Sequence, residues 1–218
     1  RVSSSPAMVR GNLAEFGAYY KIKRGMSQKN DKHFEKLLTH RFKKNNFFNA
    51  EEELYNSINI AKMFEEKLYE RQLRNIISYQ KEKVENIEGL KHPVRLFTDF
   101  EYENLIVDLK STLRLPKKPK IDHLRQQALY SVLHDKPISL LYCSPKKTLW
   151  YDLTKQDVKN GYKELARDFK SLENYIDMCD NDIEKAIKIT PLNTDPSPFY
   201  WDSNIKSAAI KVWENINK

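Results

Sequence analysis

An α/β fold laid out in three stretches is what the sequence predicts, and three observations predict it. Apolar residues recur at helical spacing through much of the first 77 residues, β-branched and aromatic residues crowd into short runs between 94 and 153, and helical periodicity returns from 154 onward. We read a single domain over 1–218: a helical N-terminal lobe at 1–77, a sheet core at 78–153 with a mixed central sheet flanked by helices, and a helical C-terminal region at 154–218. With 40% hydrophobic and 31% charged residues in 218, the chain can bury a sizeable core and does not have a disordered or fibrous composition.

Each element has a local reason. A short helix is expected over Leu13 to Ile22 and another over Lys32 to Phe42. Asn49 is a suitable N-cap, Glu51, Glu52 and Glu53 load the first turn, and Leu54, Ile58, Ala61, Phe64 and Leu68 recur on one face, so a long amphipathic helix is expected to run on towards Ile76. Residues 94–101 (VRLFTDFE) and 104–110 (NLIVDLK) read as an antiparallel hairpin. Pro116, Lys117, Lys118, Pro119 and Lys120 make a stiff basic loop, since two prolines disfavour helix and ladder alike. A helix follows from Asp122 to Leu133. Ile138 to Cys143 is a continuous apolar run suited to a buried strand, and Thr148 to Leu153 can pair with it across Ser144, Pro145, Lys146 and Lys147. Thr154 can cap a helix to Met178, with further helices expected from Asn181 to Ile189 and from Asp202 to Ile216.

Composition also excludes functions. Five glycines, at 11, 17, 25, 89 and 161, form neither a phosphate-cradling loop nor a dinucleotide fingerprint, which disfavours NTP and NAD chemistry. Two cysteines, Cys143 and Cys179, cannot build a four-thiolate zinc or iron–sulfur site unaided. No apolar run approaches the roughly 20 residues that span a bilayer, and residues 1–10 lack the core of a signal peptide, so the expectation is a soluble, intracellular, cytoplasmic protein with no membrane partner. The formal charge of +8 suits a polyanionic partner.

The chemistry-bearing cluster lies in the hairpin. Strand alternation sends Asp108 and Lys110 to one face, and a tight hairpin can set Asp99 across from them, so two carboxylates and an ammonium converge. Buried together, the carboxylates call for a cation. Mg²⁺, with Mn²⁺ as a substitute, accepts hard oxygen ligands and keeps several waters, so Asp99, Asp108 and the Leu109 carbonyl would suffice. Lys110 could then orient an attacking water or help deprotonate it. The alternative is an ordinary polar strand face on which Asp108 and Lys110 form a surface ion pair. Gln126 and Tyr130, four apart, share one face of the next helix.

Taken together, these runs resemble the PD-(D/E)XK nuclease superfamily in its RecB-like and lambda-exonuclease-like branches. Leu96-Phe97-Thr98-Asp99 is similar to the strand acid of that family, Ile106-Val107-Asp108-Leu109-Lys110-Ser111-Thr112 to its Asp/Glu-Xaa-Lys strand, and Gln126-Gln127-Ala128-Leu129-Tyr130 to its Gln-Xaa-Xaa-Xaa-Tyr helix. The likeness covers 94–153, and the early helix loosely. No glycine stands two or three positions before Asp99, where relatives often carry one. The resemblance implies a restriction-endonuclease-like core and Mg²⁺-dependent DNA hydrolysis, as an exonuclease of phage recombination or replication type, with Gln126 and Tyr130 positioning the scissile strand or Lys110. A structure-specific or restriction-like endonuclease, or a non-catalytic DNA-binding protein on the same fold, are the alternatives. It also nominates Glu15, through Arg10-Gly11-Asn12-Leu13-Ala14-Glu15, as a further metal ligand, with His33 as the rival. The iron–sulfur members are excluded by the cysteine count. The implied partner is DNA with a free end; a homo-oligomer or a recombination partner protein stays open. Lys117, Lys118, Lys120, Lys146 and Lys147 sit in loops flanking the proposed site, where they could neutralise phosphates or simply solubilise the surface.

Overall fold

The computed structural model describes residues 5–24, 31–42, 50–180, 182 and 185. Three helices come first: α1 (Pro6–Arg24), α2 (Asp31–Phe42) and α3 (Ala50–Glu70). Three strands follow, β1 (Ser78–Glu85), β2 (Val94–Glu101) and β3 (Ile106–Ser111), then α4 (Ile121–His134), β4 (Ile138–Cys143), β5 (Thr148–Asp152) and α5 (Lys155–Met178). The expected helix 202–216 lies outside the described residues, as does that at 181–189 apart from 182 and 185.

Among the described residues, five strands form one sheet in sequence order, β1-β2-β3-β4-β5. β3 and β4 run parallel, joined through α4, and every other neighbouring pair is antiparallel, so the sheet is mixed and flanked by helices. β3 and β4 are central; β4 is buried throughout, which is why ISLLYC reads as a continuous run, whereas IVDLKS alternates and its last two residues are partly exposed.

One face of the sheet carries the main apolar core. Phe100, Val107, Leu109, Leu141 and Cys143 pack there against Ala14, Ala18 and Ile22 of α1 and Ile60, Phe64 and Leu68 of α3. α1 lies close to its neighbours because Gly17 leaves no room for more: a Cβ there would stand 2.9 Å from the Ala61 Cβ and 3.0 Å from the Phe34 ring. Two buried ion pairs, Arg10–Glu53 at 2.7 Å and Lys21–Glu65 at 2.5 Å, tie α1 to α3 along its length. α4 packs on β4. α5 comes down onto α4 at Gly161, where a Cβ would meet that of Ala128 at 2.7 Å. Thr154 and Asp157 cap α5 reciprocally, the Asp157 N–H donating to the Thr154 hydroxyl at 3.1 Å and the Thr154 N–H to the Asp157 carboxylate at 2.9 Å.

Two departures from the sequence reading concern residues 71–85. The helix expected to reach Ile76 stops at Glu70, where the chain turns through Gln72 in the left-handed region (φ 59°), and Leu73 and Ile76 reach the core from a non-helical segment. Residues 78–85 then add a fifth strand that was not expected.

By its internal packing the chain falls into two compact units. One holds 4–86 and 93–165 and contains the whole sheet; the other gathers, among described residues, Ile87–His92 and 166–180. In the second, the N–H groups of Lys91 and His92 donate to Glu173 at 2.6 and 2.9 Å, and Lys170 donates to the Gly89 carbonyl at 3.0 Å.

Candidate active site

The hydrogen-bonded pairing of β2 with β3 covers Phe100–Val107 and Glu101–Ile106 and goes no further. A continued ladder would set Asp99 opposite Asp108. Instead the Leu109 N–H donates to Asp99 Oδ2 at 2.8 Å, so a side chain takes the place of the partner strand's carbonyl. Beyond that point lies a cleft of about 670 Å³, lined by Glu15 from α1, Asp99, Leu109 and Lys110 from the sheet, His123 from α4 and Tyr142 from β4. α1 approaches the end of β3 closely, since a Cβ on Gly11 would stand 3.1 Å from Ser111 Oγ.

The sequence-nominated carboxylates meet here. Asp108 is 3% exposed, and Lys110 Nζ stands 2.7 Å from its Oδ2 in a buried ion pair. Asp99 is pushed well above the usual carboxylate range by burial and by the charges of Asp108 and Glu15, against which Lys110 and the Leu109 N–H work. Glu15 is pushed up to about 7, first by burial and then by Asp108, while hydrogen bonds from Gln80 and Tyr79 pull the other way. Burial opposes the charge on Lys110, yet Asp108 and Asp99 outweigh it and hold the ammonium above its ordinary value. Buried Glu15 and Asp108 and half-buried Asp99 around one ammonium are short of positive charge.

Behind Lys110 stands the face of α4 that the sequence singled out. Lys110 Nζ donates to Gln126 Oε1 at 3.3 Å, and Gln126 Nε2 donates to Tyr130 Oη at 3.0 Å. Gln126 is thereby oriented from both ends. Four of the five nominated lysines lie outside the cleft lining: Lys117, Lys118, Lys146 and Lys147 are exposed in their loops, and Lys120 alone lines the cleft. His33 sits on α2, 3.5 Å from the Tyr20 hydroxyl, and does not line the cleft; Glu15 does.

The sequence reading did not single out His123, Tyr142, Arg114 or Gln80. His123 Nδ1 lies 2.8 Å from Tyr142 Oη, and burial followed by the charge of Lys110 pushes its pKa down to about 4, so the ring is neutral near pH 7. Its position, three before Gln126 and seven before Tyr130, is the helical signal that could have found it. Tyr142 is reached only through the parallel register that sets it beside Lys110. Arg114 lines the cleft at its exposed rim.

Among the described residues, no group of three or more His, Cys, Asp or Glu stands as placed in a geometry that would hold a metal ion. The donor chemistry nevertheless fits a hard divalent cation: oxygen ligands throughout, and a carboxylate surplus over the one ammonium that a cation would neutralise. No helix among the described residues is long and apolar enough to cross a membrane.

No family model matches the chain, and no curated protein matches it. Among solved structures, that of SSO0001 aligns over 69% of this chain and 83% of its own at 16% identity, with a TM-score of 0.34, a level of likeness that carries no argument about fold family or function.

Proposed function

We propose that the protein is a Mg²⁺-dependent deoxyribonuclease of the PD-(D/E)XK kind, on a restriction-endonuclease-like core, which hydrolyses phosphodiester bonds from a free DNA end. The observation that carries this reading is the meeting of Glu15, Asp99, Asp108 and Lys110 at the splayed end of β2 and β3, with Gln126 and Tyr130 behind Lys110. Asp99, Asp108, Glu15 and the Leu109 carbonyl would hold the cation, which supplies charge neutralisation at the phosphoryl oxygens and a more acidic water. Lys110 is held charged, so it acts as a donor that orients the attacking water and balances charge developing on the phosphoryl group, rather than as a base. Gln126, fixed by Tyr130, keeps Lys110 aimed. His123, neutral and tied to Tyr142, can offer its other ring nitrogen to the substrate without adding charge. Arg114 and Lys120 provide positive charge on the rim for the strand's phosphates. Attack from an end rests on the family resemblance alone.

End-labelled linear DNA and a covalently closed circle, each incubated with Mg²⁺ and with excess EDTA, test the reading. Progressive nucleotide release from the linear form only, abolished by EDTA, is expected; nicking of the circle makes the protein an endonuclease. A non-catalytic DNA-binding protein is the second reading, favoured by the 2.7 Å approach of Lys110 to Asp108, which already neutralises that carboxylate. It predicts retained, salt-sensitive binding and no cleavage of either form.

A further inference from the structure

We infer that Gln80, on an edge strand outside the motif residues, is a positioning residue that holds Glu15 in orientation for a divalent cation; the inference rests on the metal reading proposed above. Its carrier is a break in strand alternation. β1 pairs with β2 at Tyr79↔Phe100 and at Lys81↔Thr98, and the position between, Gln80 opposite Asp99, is left out of the ladder. Gln80 has φ +50°, the left-handed region that a non-glycine residue enters at a cost, here in the middle of a strand.

The kink has a visible result. In a regular strand Tyr79 and Gln80 would point to opposite faces. Here both reach α1. Tyr79 stacks on Tyr19 with ring centroids 4.1 Å apart, and its hydroxyl and the Gln80 amide both serve Glu15, the Gln80 Nε2 donating to Glu15 Oε1 at 2.5 Å. Two consecutive residues thus fix one buried carboxylate from β1, next to the point where Asp99 leaves its own ladder to accept from Leu109. Groups that orient a ligating carboxylate by hydrogen bonding typically change metal affinity about 10- to 100-fold when removed.

The test measures Mn²⁺ binding by calorimetry without DNA, on wild type, Asp108→Asn, Glu15→Gln, Gln80→Ala, Gln80→Gly and the Gln80→Ala/Glu15→Gln double variant, with thermal midpoints in EDTA. Both Gln80 variants are expected to bind Mn²⁺ about 10-fold more weakly. The double variant should bind no more weakly than Glu15→Gln alone. Gln80→Gly should melt at or above wild type, because glycine adopts φ +50° freely, a result a merely structural role would not give. Wild-type affinity in both Gln80 variants, while Asp108→Asn binds weakly, overturns the role of Gln80 and leaves the metal reading standing. Additive losses in the double variant overturn it too. Unchanged binding in Asp108→Asn removes the metal site, and both readings fall together.

Discussion

Two ends of one strand pair are built on different principles. At the closed end β2 and β3 keep their ladder, and Glu101 has every partner it needs: Ser78 and Lys136 both reach its carboxylate at 2.7 Å. Those bonds overcome the burial that would raise it and hold its pKa at about 2. At the splayed end, two residues away on the same face of β2, Asp99 has one backbone donor and two carboxylate neighbours, and is held well above the ordinary range. The same residue chemistry is a fastening at one end and a charge imbalance at the other. A fold tolerates such an imbalance where the surrounding packing over-determines it, here the α1 and α3 core on the opposite face of β3.

The largest effect that would break this contrast is on activity. Asp99→Asn and Asp108→Asn should each lower single-turnover cleavage by at least about 10²- to 10³-fold. In EDTA the thermal midpoint of Asp99→Asn should stay within about 2 °C of wild type, since Asp99 is held towards its neutral form and an amide oxygen can still accept from Leu109. A large fall in midpoint would mean that Asp99 is a fastening like Glu101. Conversely, Glu101→Ala takes from the Lys136 ammonium its carboxylate and leaves it the Tyr102 carbonyl at 3.2 Å, and should cost about 1–3 kcal/mol in urea unfolding while leaving the cleavage rate of folded protein unchanged.

A smaller effect joins the two ends. Gly17→Ala forces α1 away from Ala61 and Phe34, an overpacking of about 1–3 kcal/mol offset by about 1 kcal/mol of helix propensity. Because Glu15 lies two residues earlier on the same helix, stability and Mn²⁺ affinity should fall together. Loss of stability with unchanged affinity would show that Glu15 does not depend on how deeply α1 packs.

The splayed end was legible in the sequence as far as residue spacing carries. Asp108 and Lys110 share a face by strand alternation, and Gln126 and Tyr130 by helical periodicity, and the structure brings these four together with Asp99. Glu15 needed the family resemblance, since nothing local marks a helix acid as buried. β1 was missed because SYQKEKVE alternates poorly: it is an edge strand, and its charges, including Lys81, Glu82 and Lys83, suit an edge that must not pair further. Gln80 could not be read at all, because its role depends on a left-handed φ that reverses the alternation from which a sequence reading starts. Tyr142 became visible only with the parallel register of β3 and β4.

The smallest and most discriminating effect is the pH dependence of stability in EDTA, where the two ends should contribute with opposite sign. Glu101 has a folded-state pKa of about 2 against an ordinary value of 4.5, so between those values the unfolded chain binds the proton that the folded chain refuses. Its stabilisation is complete above about pH 5 and is lost as pH falls towards 2. Glu15 is the reverse. Its folded-state pKa of about 7 means that the folded protein holds a proton which the unfolded chain has already released, so its contribution is present below about pH 4.5 and is lost as pH rises through 7. Urea unfolding from pH 2.5 to 8 should therefore give a maximum near pH 5 that is eroded on both sides. Glu101→Gln should flatten the acid limb only, and Glu15→Gln the neutral limb only, each by up to about 1.4 kcal/mol per pH unit where its proton is in play. Saturating Mn²⁺ should remove the neutral limb in wild type and leave the acid limb untouched. If Glu15→Gln leaves the neutral limb as steep as before, Glu15 does not carry the charge imbalance of the splayed end, and Asp99, also held above its ordinary range, must account for it.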